Sequence, residues 1–101
     1  MNKPLTCSLT TPELRKRKET VLRQLRTGMR HKKEVADGYL FTFSGDDASM
    51  EQLNEFIRTE RECCSFFTFG LTVKGDKSEI ILSLTGPEGS KDFIRDELQL
   101  V

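Results

Sequence analysis

The chain has one histidine, three cysteines and no apolar run approaching the ~20 residues a membrane-spanning helix needs. Each shortage narrows what the protein can do. With His31 as the only imidazole, at the end of a basic segment and read as a surface residue, no Ser/His/Asp or Cys/His arrangement is credible, and no catalytic residue is assigned. Three cysteines with one histidine, and no C-x-x-C pair, cannot build a closed zinc site of four thiolates or of two thiolates and two imidazoles. The opening Met1-Asn2-Lys3-Pro4-Leu5-Thr6-Cys7 lacks the apolar stretch that export requires, so a cytoplasmic chain with reduced thiols is the expectation. Gly86-Pro87-Glu88-Gly89 lacks the Lys and Ser/Thr of a phosphate loop and reads as a strand-to-helix turn.

A length of 101 residues, 36% of them apolar and 32% charged, describes one domain over 1–101 with a modest core, residues 1–9 forming a segment expected to be flexible. Net charge is zero but unevenly spread. Residues 1–33 carry ten Lys/Arg against Glu13 and Glu19, whereas the remainder carries six against fourteen acids. Nucleic-acid domains are usually basic overall, so a basic helix beside acidic ones is the expected meaning, and nucleic acid is not expected as a partner.

Thr10-Thr11-Pro12-Glu13 is a helix start, and Leu14, Val21, Leu22, Leu25 and Met29 recur at helical spacing to about Arg30. Lys32–Ala36 and Tyr39–Phe43 flank Asp37-Gly38, which predicts a hairpin with those two residues as its turn. Asp46 or Asp47 caps a second helix with Met50, Leu53, Phe56 and Ile57 on its buried stripe. Phe67, Phe69, Leu71 and Val73 then alternate along a strand, Gly75-Asp76-Lys77 turns the chain, and Ile80, Leu82 and Leu84 share one face of the next. Thr85-Gly86-Pro87-Glu88 repeats the helix-start signal ahead of Phe93, Ile94 and Leu98. The order α-ββ-α-ββ-α predicts an α+β two-layer sandwich: a four-stranded, mostly antiparallel sheet with helices on one face. The ββα unit occurs twice, which hints at pseudo-twofold symmetry.

The reactive chemistry lies in Glu60-Arg61-Glu62-Cys63-Cys64. Adjacent Cα atoms stand about 3.8 Å apart, too close for an ordinary disulfide, so two neighbouring thiols remain available. On a helix, Glu60 lies one turn before both of them, on the apolar stripe where an unpartnered carboxylate would be costly. Thiolates favour soft ions, so Cys63, Cys64 and Cys7, with Glu60, are the candidate ligands for Cu(I) or Hg(II) in a site of two or three sulfurs. Zn(II), with an added carboxylate or water, is kept as a third candidate ion. The competing reading is that an apolar stripe ending in Cys-Cys-Ser-Phe-Phe is simply core. Cys64 continues the Leu53–Ile57 line and is expected to be the more buried of the pair.

Cys7-Ser8-Leu9-Thr10, Asp37-Gly38-Tyr39-Leu40-Phe41, Glu60-Arg61-Glu62-Cys63-Cys64-Ser65-Phe66 and Leu84-Thr85-Gly86-Pro87-Glu88-Gly89 resemble a family of small bacterial proteins. That family carries an E-R-x-C-C-P-F block and an L-T-G-P-E-G block and is associated with metal-responsive operons; here Ser65 stands in place of the proline. The resemblance implies copper or mercury handling.

Three functions follow as expectations. The first is a soft-metal buffer or resistance accessory. The second is a redox or oxidant sensor, with Cys63 or Cys64 reactive and Cys7 resolving. The third is an interaction module using the basic helix. A homodimer is left open.

Overall fold

The computed structural model describes residues 11–101, with Cys63 described by its backbone alone. The expectations for residues 1–9, and for Cys7 as a ligand, lie outside the described residues. Three helices and four strands follow in the expected order: α1 (Pro12–Gly28), β1 (Met29–Val35), β2 (Gly38–Ser44), α2 (Asp47–Cys63), β3 (Thr68–Val73), β4 (Glu79–Thr85) and α3 (Ser90–Asp96). No helix among them is long and apolar enough to cross a membrane.

Both long helices begin at side-chain caps. Thr11 Oγ1 accepts from the Leu14 N–H at 3.2 Å and Asp46 Oδ1 from the Ser49 N–H at 2.8 Å, each worth about 1 kcal/mol. α1 ends at Gly28, earlier than its periodicity suggests. Gly28 is a poor helix former, and Met29 turns extended (φ −70°, ψ 127°) to pair with Phe43, so Met29 to His31 belong to β1.

The sheet order is β1-β2-β4-β3 and every pair is antiparallel. Exchanging the two hairpins leaves that order unchanged, as a pseudo-twofold would. Tyr39, Phe41 and Phe43 of β2 and Ile80, Leu82 and Leu84 of β4 are buried under the helices with Leu25, Leu53, Phe56, Ile94 and Leu98. The alternate residues Leu40, Thr42, Ile81 and Ser83 are only half-buried, which is the alternation of a sheet covered on one face.

Two turns differ from the sequence reading. Val35 pairs with Gly38, so the hairpin turns on Ala36 and Asp37, one residue early, and neither Asp37 nor Gly38 has a positive φ. Packing requires that glycine: a Cβ on Gly38 would lie 1.8 Å from the Leu84 carbonyl oxygen. At the other end, Thr85-Gly86-Pro87-Glu88 does not open α3. Pro87 sits in a turn closed by the Ser90 N–H donating to the Pro87 carbonyl at 3.0 Å, and α3 starts after Gly89, whose φ of 96° suits glycine.

Candidate functional site

α2 carries Leu53, Phe56 and Glu60 into the interior at helical spacing, and all three are essentially unexposed. The helix stops at Cys63. Cys64 is its C-cap (φ −123°, ψ 62°), with its N–H donating to the Glu60 carbonyl, and this break swings the chain toward β3. Cys64 is 0% exposed and Glu60 1%. The Cys64 thiol donates to Glu60 Oε2 at 3.2 Å, the i,i+4 contact that the helical spacing allows.

The third member comes from α1. Lys18 Nζ lies 3.6 Å from Glu60 Oε2, and 6.0 Å from the Phe93 ring centroid, the outer limit of a cation–π contact. Arg17 pairs with Glu55 one turn back along α2, so two ion pairs hold the helices in register. The sequence reading missed Lys18, yet the signal was present. Lys18 is four residues after Leu14 and three before Val21, on the apolar stripe of α1, as Glu60 is on that of α2.

Burial pushes the Glu60 carboxyl above the ordinary carboxylate range, with Lys18 and the Cys64 thiol pulling it back. The Cys64 thiol is pushed up as well, first by burial and then by the adjacent Glu60 charge, against which Lys18 acts. Cys64 is therefore a protonated thiol at neutral pH. A thiolate nucleophile needs the opposite setting, electropositive and partly exposed.

An aromatic wall surrounds the chain after Cys64. Phe66 and Phe67 lie 4.5 Å apart, Phe66 meets Phe93 edge-on at 5.1 Å, and Phe67 meets Phe69 and Phe93 edge-on at 5.9 and 5.7 Å. Phe67 and Phe93 belong to the buried core that includes Cys64, and Phe66 and Phe69 pack against it half-buried.

Of the four residues proposed as ligands, Glu60 and Cys64 meet within hydrogen-bond distance, while Cys7 and the Cys63 side chain lie outside what is described. Among the described residues no group of three or more His, Cys, Asp or Glu side chains is placed to hold a metal ion. His31 is exposed on β1, as a surface residue should be. Arg15, Lys16, Arg23 and Arg26 are exposed too. No family model, curated protein or solved structure matches the chain.

Proposed function

We propose that the chain is a cytoplasmic soft-metal-binding protein, a buffer or accessory to copper or mercury resistance, in which Cys64 and Cys63 supply the sulfurs. Cys7 would serve as a third ligand and Glu60 as the adjoining carboxylate. One observation carries this reading: a carboxylate that is 1% exposed is aimed at a buried thiol 3.2 Å away, on the helical turn that ends in the second thiol. Packing alone does not ask for this, because an apolar residue at position 60 would avoid the desolvation of a charge. Thiols must lose protons to bind metal, so the ion itself has to displace the proton that burial and the Glu60 charge hold on Cys64. Thiolates favour soft ions, so Cys63 and Cys64 suit Cu(I) or Hg(II), with Zn(II) needing further ligands. The resemblance of the Glu60–Phe66 and Leu84–Gly89 segments to proteins associated with metal-responsive operons points the same way.

The oxidant-sensing alternative loses support at Cys64, whose thiol is held protonated, and would need Cys63 to act with Cys7. Native mass spectrometry of anaerobically purified protein, with and without Cu(I), Hg(II) and Zn(II), tests the reading. It predicts one soft ion per chain, lost in a Cys63→Ser/Cys64→Ser double variant.

A further inference from the structure

The two edges of the sheet are built differently. β1 carries Arg30, His31, Lys32 and Lys33, all exposed, and its register shifts between Met29 and His31. Charges and a bulge are the usual devices that stop an edge strand from recruiting another chain. β3, at the opposite edge, has neither. Thr68-Phe69-Gly70-Leu71-Thr72-Val73 contains no charge and no proline, and its register with β4 runs unbroken from Thr68↔Thr85 to Val73↔Ile80. Among the described residues no strand pairs with its outer side. Val73 is 44% exposed, one of two large apolar side chains that are exposed among the described residues, and Phe69 and Leu71 are only half-buried.

We propose that β3 is a self-association edge: two copies of the chain join β3 to β3, antiparallel about a twofold axis through Leu71 and normal to the sheet, into one eight-stranded sheet.

The pairing rule of an antiparallel ladder selects this occupant and register. Directly opposed residues share a face, so a twofold normal to the sheet can pair only residues of like parity. Centred on Leu71, the register sets Leu71 against Leu71 and Phe69 against Val73 on the helix-covered side. Gly70 then meets Thr72 on the open side. Exposed Val73 thereby gains an aromatic neighbour, the kind of cross-strand pair that stabilises sheets. No like charges face each other within the strand. Thr68 meets the first charged residue, Lys74, whose ammonium Glu79 already holds at 3.2 Å. A β3-to-β1 contact would instead seat an uncharged strand on a bulged basic one and leave free ends.

Size fixes the strength. Six residues span ~20 Å. The fold's smallest dimension is 18 Å. The contact is therefore about 400 Å² per copy, ~800 Å² in all, below the ~1,200 Å² at which stable specific interfaces begin, so the dimer is a weak and reversible one. The proposal does not depend on metal binding. Cys64 precedes β3, and antiparallel pairing sends the two copies' Cys64 to opposite ends of the joint.

Sedimentation velocity of the full chain from about 5 µM to 1 mM should show a reversible monomer–dimer equilibrium. Val73→Lys, at an exposed position, should weaken it at least about tenfold while leaving the melting curve of dilute protein in place, whereas Lys32→Thr on β1 should not weaken it. Amide exchange of the wild type should slow in β3, not β1, as concentration rises, and this decides the matter if the Val73 variant does not fold. A wild type monomeric throughout, a dimer indifferent to Val73→Lys, or concentration-dependent protection confined to β1 would overturn the proposal.

Discussion

Cys64 donates its thiol hydrogen to Glu60, one helical turn earlier and equally buried, with Sγ 3.2 Å from Oε2. Neither residue is at rest in an apolar interior. The carboxylate lost its water and holds Lys18 and the thiol in exchange. Replacing Glu60 with Gln keeps the shape and an acceptor, and should destabilise the protein by about 1 kcal/mol; Glu60→Ala, which also opens a cavity, should cost about 2–4 kcal/mol. Chemical denaturation of both variants beside the wild type checks the order. A fully neutral Glu60→Ala would mean the carboxylate contributes nothing to the fold.

The thiol sets an alkaline limit. The Cys64 group sits above its ordinary value of 9.0 in the folded chain, so above about pH 9 the unfolded chain gives up a proton that the folded chain keeps. Folded protein then binds more protons than unfolded, and stability falls as pH rises. Glu60, also raised, acts in the same direction from its ordinary 4.5 upward, its full contribution being present only below that value. Denaturant midpoints measured from pH 7 to 10.5 should decline beyond 9 in the wild type, and that part of the decline should vanish in Cys64→Ala.

Thiol reactivity follows from the same burial. Cys64 should react with an aromatic disulfide reagent at pH 8 only at the rate of local or global opening, and rapidly in denaturant. Counting fast thiols in Cys7→Ser/Cys63→Ser, which leaves Cys64 as the one thiol, isolates this. Immediate Cys64 modification in the folded state would contradict the described geometry.

Gly38 is required by closeness to β4, not by a left-handed turn. Gly38→Ala should therefore cost more than about 2 kcal/mol, because its Cβ would meet backbone that cannot rotate away. The exposed Asp37 next to it should accept Gly or Asn with a change of about 0.5 kcal/mol or less.

Much of this fold was legible in the sequence because each element states its own period. The alternation in Tyr39–Phe43 and Ile80–Leu84 and the caps at Thr11 and Asp46 each appear where periodicity and cap chemistry put them. The errors sit where a residue has two meanings. Asp37-Gly38 carries a turn signal, yet its glycine is used for a close approach to Leu84 and Thr85, far along the chain, which no local pattern contains. Thr85-Gly86-Pro87-Glu88 mimics a helix start but places its proline in a turn. At the site, Glu60 and Cys64 could be paired from spacing alone, whereas Lys18 joins only when charges on two apolar stripes are considered together.

Basic residues at Arg15, Lys16, Arg23 and Arg26 face solvent on α1, while acids elsewhere cancel the long-range field. Binding to duplex DNA should be weak and lost by moderate salt, as counterion release demands. A sequence-specific complex surviving physiological ionic strength in a mobility assay would promote the basic helix to the functional surface.

The most direct test is an anaerobic titration of the reduced chain with Cu(I) against a competing chelator, followed in the near-ultraviolet where thiolate–metal charge transfer absorbs. The account predicts one equivalent bound, with affinity reduced at least about a hundredfold in Cys63→Ser/Cys64→Ser and about tenfold in Glu60→Gln. Cys64→Ser alone should also cost about 1 kcal/mol of stability, as a hydroxyl enters an apolar setting. Equal affinity in the wild type and the double variant would contradict it and return Cys64 to the role of a core thiol.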